Sequence, residues 1–576
     1  MLTVAPLTHD ELHALFRSVF GDAQYLGRLV DRLYHASEGN PGHAVDLAEH
    51  LSGDGAIAHV DGAWLLPQNI DEVALPGSRA EAERERLARL PAAVRDIGRR
   101  LSIREGAIPL EMCAALSACE GGPLFEALAE LVRTGVLVGS ADGYRFARDS
   151  LRLGLQAELE PEAQKDAHRR LGRLLLGESE LSQLERLKAG VHLLLGGEDE
   201  EGSRVVALAG RHYGLVDLAD LAAAVPSLEL AVAHFRRIGR PEHELVSVLA
   251  PLALAGYYAD KRLATRYGFE AVDLLQRLVG LSRARFLSRC LGRKLGLLLA
   301  LLAAAVTFGV RAKNPRVPKF KEALMMLFNC VAALTGTSIV CLDLKAARRY
   351  AVTLEPMTAL GPDHVASFMY DFCSNLIGTI QDHPALGRSR WIDMTKRLDQ
   401  PKAKRDLGDV HVLYLAGALY ARGVGECRRD DSDAPALADR LQKFGLKLYD
   451  MSADQVRMIY HANRGDLEAF ARYAQKVEVH AIQRGTAWQV EMWLQSSLMS
   501  IHLRTGDVAG LKDCAEQLKR ISADMPSLAT DHYRALMAYL ALRGTPEEAL
   551  RVMEEHPEVT SEIIGWSRTQ GVCARA

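Results

Sequence analysis

The sequence has few aromatic residues and almost no net charge. Aromatics make up 6% of its 576 residues, while Ala and Leu recur in long stretches. Because β-sandwiches draw on β-branched and aromatic residues, this composition favours helices packed on helices. The 70 basic and 73 acidic side chains give a net charge of −3, which excludes a uniformly basic nucleic-acid binder and a polyacidic disordered chain.

Cysteine is scarce, and its placement indicates no disulfide framework. The nine cysteines include no CxxC pair, and most lie in apolar helical patterns, as Cys330 does in LFNCVAAL. We therefore predict buried, reduced thiols in a cytoplasmic protein. The first residues, MLTVAPLTHDELHAL, lack the basic and apolar regions of a signal peptide.

The sequence also lacks the spacings that mark catalytic centres. It contains no GxxxxGK[ST] phosphate loop, no HExxH metal motif, no GxSxG elbow and no kinase HRD or DFG loop. His43 and His50 can share one helix face, but two histidines alone make a weak metal site. We predict no catalytic residue, no metal, no resident cofactor and no enzymatic activity for this chain.

The first predicted region, 1–75, consists of amphipathic helices and a short hairpin. Thr8 and Glu11 have the spacing of a capping box, and Gly39-Asn40-Pro41-Gly42 is a strong turn signal. Ile57 to Val60 and Trp64 to Leu66 flank an Asp-Gly turn. Leu2 to Val4 reads as an isolated strand, so we expect a segment to be missing upstream of it.

The second predicted region, 86–160, has three helices followed by two short strands, the order found in winged-helix domains. A DNA-binding winged helix lays its third helix in the major groove. Here that helix is PLFEALAELVR, in which Glu126 and Glu130 oppose the single cation Arg133. Because these carboxylates repel phosphates, we predict a packing or spacer role and no DNA binding.

The remainder, divided into 161–436 and 437–576, is predicted to be helical throughout, with breaks at Gly or Pro such as Pro226. Three related turns, RGDLEAF at 464–470, TGDVAGL at 505–511 and RGTPEEAL at 543–550, recur at intervals of about 40 residues. In each, a left-handed Gly can end one helix and the next residue can cap the following one. This pattern is typical of tetratricopeptide-like (TPR-like) solenoids of antiparallel helix hairpins.

Leu295 to Val310, LGLLLALLAAAVTFGV, carries no charge and has cations on both sides. At 1.5 Å per residue it spans roughly 24 Å, short of a ~30 Å hydrocarbon core. We predict a buried central helix of the solenoid. A single membrane anchor and contact with an anionic lipid surface are the alternatives.

Two further features could form a surface for a protein partner. Trp488 and Trp493 are large aromatic side chains, which dominate interface energetics, but we favour their packing between consecutive hairpins over an exposed binding ridge. Lys313, Arg316 and Lys319 belong to a Pro-bounded basic loop without an acid. We predict a solvated connector; docking of an acidic protein, a phosphorylated segment or a membrane surface is the alternative.

The first ~175 residues resemble the part of bacterial STAND signalling ATPases that follows the nucleotide-binding core. The resemblance rests on APLT…EL at 5–12, SEGNP at 37–41, GAWLLP at 62–67, LPAAVRDIGRRL at 90–101, GYRFARDSLR at 143–152 and a helix containing His168. It implies a lid and a winged helix, with Gly39, Asn40 and Pro41 forming the lid's nucleotide-facing turn. Arg148 stands where the family's wing usually has a His.

The rest, especially 438–493, is similar to the helical tail of large bacterial regulators that fuse a serine/threonine kinase to such an ATPase. The kinase and the phosphate loop are both absent from this sequence, so ATP is expected only where another segment or chain supplies the ATPase core. The resemblance implies a mainly α protein: helical lid, winged helix and TPR-like α-solenoid. It also implies a non-catalytic regulatory module that binds protein partners. The alternative is the C-terminal half of a nucleotide-dependent ATPase or kinase whose catalytic part is on another chain or is missing.

Overall fold

The chain is mainly α-helical in a computed structural model. The structure describes residues 6–21, 23, 26–53, 56–60, 63–66, 79–178, 180–215, 220–311, 314–341, 343–361, 364–381, 384–408, 411–427, 432–484, 487–523 and 529–556. In that part of the chain the only strands form two short antiparallel hairpins. Leu2 to Val4, predicted to be a strand, and Lys313 lie outside the described residues.

The chain divides into two compact units, of which the first comprises Met1–Ser179 with Leu195–Glu198. Its elements are α1 (His9–Phe20), α2 (Leu26–Ser37), α3 (Pro41–Gly53), β1 (Ala58–Val60), β2 (Ala63–Leu65), α4 (Arg79–Ala88), α5 (Ala92–Leu101), α6 (Leu110–Ser117), α7 (Gly122–Arg133), β3 (Leu137–Ser140), β4 (Gly143–Phe146), α8 (Asp149–Ala157) and α9 (Pro161–Leu176).

The start of α1 is fixed by the capping box that the sequence predicts. The Glu11 amide donates to the Thr8 hydroxyl, and the Thr8 amide donates to the Glu11 carboxylate at 2.8 Å. Two of the helix's unpaired amides are thereby satisfied. The apolar face that follows, including Leu12 and Phe16, packs against α2 and α3 in one buried cluster.

Three helices followed by a two-stranded hairpin lie in the order that the sequence predicts for 86–160. β3 pairs with β4 over Leu137–Ser140 and Gly143–Phe146, and Ile108 forms an additional bridge to Tyr144. Leu128 and Leu131 of α7, Leu155 of α8 and Leu137 of β3 are buried, and the hairpin contacts both helices. The α7 helix is amphipathic, because its acidic and basic side chains lie away from these buried leucines.

The second unit comprises Glu180–Leu194 and Asp199–Ala576. Its elements are α10 (Gln183–Leu195), α11 (Asp199–Leu215), α12 (Leu221–Arg237), α13 (Glu242–Tyr258), α14 (Lys261–Leu278), α15 (Leu281–Leu291), α16 (Arg293–Arg311), α17 (Phe320–Val340), α18 (Leu344–Val352), a 3₁₀ helix (Glu355–Leu360), α19 (Val365–Gln381), α20 (Pro384–Leu398), α21 (Pro401–Leu407), α22 (His411–Glu426), α23 (Ala434–Gln442), α24 (Lys447–Ala462), α25 (Leu467–Arg484), α26 (Ala487–Thr505), α27 (Val508–Ser522), α28 (Ala529–Arg543) and α29 (Pro546–Glu555).

Short connections join most consecutive helices of this unit, which pack against their neighbours as the prediction of a helical-repeat architecture requires. One buried cluster extends from Leu187 to Ile501, and a smaller cluster around Leu511 and Leu518 lies under the last helices. The predicted break at Pro226 is wrong, because α12 continues through it. A proline removes one helical hydrogen bond, and burial of Ala224 and Leu228 on either side compensates for that loss.

The three predicted repeat turns share one backbone geometry. Each glycine is left-handed, with φ of 72° at Gly465, 68° at Gly506 and 93° at Gly544. In each turn the residue after the glycine donates its amide to the carbonyl five residues before it, at 3.0–3.1 Å; the accepting residues are His461, His502 and Leu540. The repeat therefore exists in three dimensions as well as in sequence, since the same bonds end a helix three times.

The first two of these turns also contain a His–Asp pair. Nδ1 of His461 lies 3.0 Å from the Asp466 carboxylate, and Nδ1 of His502 lies 2.8 Å from that of Asp507. Each aspartate accepts the amide of the residue three positions later, which with the neighbouring histidine lowers its pKa. The HxxxGD spacing at 461–466 and 502–507 is the signal that could have revealed the pairs.

Candidate functional site

The turn that the resemblance assigns to nucleotide has structural contacts within the first unit. Gly39 has a φ of +76°, and a Cβ there would lie 2.4 Å from the Leu7 carbonyl oxygen. The Gly39 carbonyl accepts the Leu7 amide at 2.8 Å. The Asn40 side chain accepts the His43 amide at 3.1 Å, and Pro41 is the first residue of α3. The turn is therefore a helix cap held against the segment that precedes α1.

Arg148, at the position where the family's wing usually has a His, forms an ion pair inside the first unit. Its guanidinium contacts the carboxylate of Asp46 on α3, and Asp46 is only 1% exposed. Glu83 of α4 lies 3.6 Å from the same guanidinium, and it accepts the Ser150 hydroxyl at 2.9 Å. Sequence reasoning missed Asp46, although an acid among the buried positions of α3 was the available signal.

The α7 helix offers no free cation to a phosphate backbone. Nε and Nη2 of Arg133 donate to the two carboxylate oxygens of Glu130 at 2.7 and 2.6 Å. That hydrogen bond lowers the pKa of Glu130, which keeps the carboxylate charged. The charge of Arg133 is thus already matched on its own helix, so α7 keeps the acidic character from which we predict that it does not bind DNA.

His168 is a buried, neutral side chain in α9. It is 6% exposed, and burial lowers its pKa from 6.5 to about 4. Between these two values the unfolded chain binds a proton at this residue and the folded chain does not. The contribution of neutral His168 is therefore fully present above pH 6.5 and is lost as the pH falls toward 4.

We expect acidification to destabilise the first unit through this histidine. Lowering the pH from about 7.5 to about 5 should cost roughly 2 kcal/mol at His168 alone. His168→Gln should remove that part of the pH dependence. The measurement is urea-dependent hydrogen exchange in peptides from α9 at both pH values. His532→Gln, which changes a histidine of the second unit, is the control; equal acid losses in wild type and His168→Gln would contradict the assignment.

Ion pairs and hydrogen bonds hold the basic loop against other helices of the second unit. Arg316 contacts Glu200, and its Nη1 lies 3.6 Å from the carboxylate of Glu244, which is 3% exposed. Asn314 donates to Glu244 at 2.8 Å. Nη2 of Arg211 donates to the Pro315 carbonyl at 2.6 Å. The expectation that this loop is a solvated connector is therefore wrong for Arg316, which is ion-paired with two acids of the same unit.

Of the other residues predicted to form a partner surface, the structure describes the side chain of Lys319 but not those of the two tryptophans. Lys319 is exposed and lies just before α17, where its amide donates to Glu322 at 2.9 Å. Trp488 and Trp493 lie in α26, but their side chains are outside the described part of the chain. The proposal that these tryptophans anchor a partner therefore stays a prediction.

A cationic and aromatic surface, which sequence reasoning missed, lies on α24 and α25. The guanidinium of Arg472 is 5.2 Å and the ammonium of Lys476 5.4 Å from the centre of the Tyr473 ring. Arg457 lies 5.8 Å from the same ring, and the ring of His461 stacks on it at 5.6 Å. We call Tyr473, Arg472 and Lys476 the Tyr473 patch, whereas Arg457 is mostly buried and ion-paired with Asp439 and Asp454. The RYxxK spacing at 472–476 was the available signal.

Two helices in the described residues are long and apolar enough to span a membrane, and they differ in burial. In α17, 72% of the stretch Phe320–Ile339 is buried, so α17 is a core helix. In α16, only 28% of the stretch Arg293–Val310 is buried, and Leu302 and Val306 are 62% and 60% exposed. The prediction that Leu295 to Val310 is a buried central helix is therefore correct for one face only.

The described cysteines are free thiols, and most of them are buried. Cys113, Cys330, Cys373, Cys427 and Cys514 are buried, whereas Cys290 is exposed, contrary to the general expectation for the thiols. Burial raises the pKa of Cys113 to about 11 and that of Cys373 to about 12. Because the thiolate is the reactive form, these buried thiols are poor nucleophiles.

Comparison with known proteins identifies a similar solved structure. No protein-family model matches the sequence, and no curated protein matches it. A solved structure, that of a STAND signal-transduction ATPase with a tetratricopeptide-repeat sensor from Pyrococcus horikoshii, is similar over 99% of this chain and 74% of that one. The sequence identity is 14% and the TM-score is 0.36.

Proposed function

We propose that this chain is a non-catalytic regulatory module of a bacterial signal-transduction ATPase or serine/threonine kinase system. Its helical repeats bind a protein partner. The motif order in the sequence supports the family, since lid-like, winged-helix-like and repeat regions follow one another. The repeated Gly turns support the mode of action, because stacked hairpins contact mainly their neighbours and leave other faces available.

The Tyr473 patch is the observation that carries the proposal. Arg472 and Lys476 are exposed on α25 beside an aromatic ring. Arginine and tyrosine are enriched at binding hot spots. A cationic patch of this kind complements an acidic segment, and the charges steer its approach. We infer that the partner presents an acidic surface to α25.

In this proposal the first unit is a rigid spacer and does not bind DNA. The Asp46–Arg148 pair ties α3 to the start of α8, so the N-terminal helices and the hairpin region are held together. Should an ATPase core be supplied by another segment or chain, the turn at Gly39, Asn40 and Pro41 would face the nucleotide there. A change of occupancy would then move the unit as one body.

The test compares the wild-type chain with a charge-reversed patch. Arg472→Glu with Lys476→Glu should abolish at least about nine-tenths of the cross-linking to acidic partners captured from the native cell extract. Lys512→Glu with Arg520→Glu, which reverses two exposed cations of α27, is the matched control and should bind normally. Circular dichroism checks that each variant stays helical.

Activity of the purified chain separates this proposal from the enzymatic alternative. We expect no ATP hydrolysis and no phosphorylation of the chain or of a generic substrate. Turnover that a single substitution abolishes would overturn the regulatory role. Unchanged partner capture by the α25 double variant would overturn the assignment of the Tyr473 patch.

A further inference from the structure

The α16 helix carries a continuous apolar stripe on its outer face. Leu295, Leu299, Leu302, Val306 and Val310 are spaced three or four residues apart and are all at least 40% exposed. At 3.6 residues per turn this spacing places them along one side of the helix. Single exposed leucines are ordinary on protein surfaces, whereas a stripe of this length marks a site of association.

The opposite face of α16 fixes the helix to the second unit. Leu297, Ala300, Ala304 and Phe308 are at most 6% exposed, and three of them belong to the main buried cluster. The ring of Phe308 meets that of Phe320 edge-on at 5.7 Å. The stripe therefore points outward because the other side is already packed, and α16 cannot turn it inward without exposing the buried face.

The hairpin formed by α15 and α16 is strongly cationic. Residues 281–311 contain six cations and no acid. Arg283, Arg289 and Lys294 are exposed, and Arg293 is paired with Glu355 at 2.9 Å. Lys294 lies next to Leu295, about 100° around the helix from it, at the edge of the stripe. Long cationic side chains at such an edge can reach headgroups while their stems stay apolar.

We propose that the α15–α16 hairpin docks on the surface of an anionic lipid bilayer. The α16 stripe would lie in the plane of the interface, between headgroups and acyl chains, and the flanking cations would bind anionic headgroups. An apolar face with basic flanks is the physical requirement for such binding, which sums buried apolar area and electrostatic attraction.

A second copy of the chain fits these observations less well. Pairing two α16 stripes, in either direction, would bring two cationic hairpins together without an intervening acid of their own. Insertion across the bilayer fits less well too, because the buried face of α16 is already packed in protein. The charge-free part is also roughly 24 Å long against a ~30 Å hydrocarbon core.

The experiment is co-sedimentation of the full chain with vesicles of phosphatidylcholine, alone or with phosphatidylglycerol added. We expect binding only to the vesicles with phosphatidylglycerol, and weaker binding at high salt. Leu302→Glu with Val306→Glu should lower the partition coefficient at least about tenfold. Arg283→Glu with Arg289→Glu should lower it as well. Leu208→Glu with Leu230→Glu, two exposed leucines of α11 and α12, is the control and should bind like wild type.

Three results would overturn the proposal. One is the absence of sedimentation with either vesicle, and another is binding that the α16 double variant does not weaken. The third is a dimer, detected by light scattering, that the same variant dissociates while vesicles remain unbound, which would assign the stripe to a second copy. Circular dichroism shows whether the variants keep their helices, so that misfolding is not mistaken for lost binding.

Discussion

Replacing Asp46 by Ala is expected to lower the free energy of unfolding of the first unit by about 3–5 kcal/mol. Asp46 is 1% exposed and is the carboxylate that contacts the Arg148 guanidinium. Removing it leaves a largely buried cation, for which Glu83 at 3.6 Å is the remaining ion-pair partner. The cost arises because the more distant Glu83 carboxylate compensates only in part for taking the Arg148 guanidinium out of water.

The measurement is hydrogen exchange under conditions in which opening is fast and reversible, read in peptides from α3 and α8. The double variant Asp46→Ala with Arg148→Ala is the decisive control, because it removes the stranded charge together with its partner. We expect it to lose less stability than the sum of the two single variants. Additive losses would show that the two side chains act independently.

Replacing Glu244 by Ala is expected to destabilise the second unit by about 3 kcal/mol. Glu244 lies 3.6 Å from Nη1 of Arg316 and 3.8 Å from Nε of Arg240, and it accepts a hydrogen bond from Asn314. Two guanidiniums that are 18% and 12% exposed would lose a shared carboxylate. Glu200, which is mostly exposed, would compensate for only part of that loss.

The loop before α17 should loosen first in this variant. Hydrogen exchange in peptides covering 314–322 is the local measurement, and urea unfolding of the whole unit is the global one. Glu244→Gln keeps an acceptor for Asn314 but loses the charge, so we expect an intermediate effect. If hydrogen exchange in this loop is as slow in Glu244→Ala as in the wild type, Arg211 alone holds the loop in place. Arg211 donates hydrogen bonds to the Pro315 and Val317 carbonyls.

Features set by neighbours in the sequence could be predicted well. The Thr8–Glu11 capping box, the two hairpins and the Gly turns at 465, 506 and 544 are all present as predicted. Each depends on hydrogen bonds or backbone conformations within a few residues, so the local residue types determine them. Pro226 is the exception, because buried neighbours on both sides of it outweigh the local penalty.

Features set by distant partners could not be predicted. Arg316 reads as a solvated cation in its own loop, yet it contacts Glu200, 116 residues away. Arg472, Tyr473 and Lys476 lie in one short stretch of sequence, but Arg457 and His461, which contact the same ring, come from a different helix. Similarly, the apolar pattern of α16 shows that the helix can be buried, but not which of its faces meets a neighbour.

By itself the sequence determined the class of protein: a mainly helical chain, its repeat turns and the caps of several helices. These follow from composition and short-range periodicity, because a helix needs only its own residues to define its ends and its apolar face. The tertiary structure alone decided which charges are buried with Asp46 and Glu244, and which face of α16 stays exposed. Those outcomes depend on which helix packs against which, and an apolar stripe is equally suited to a core or to another surface.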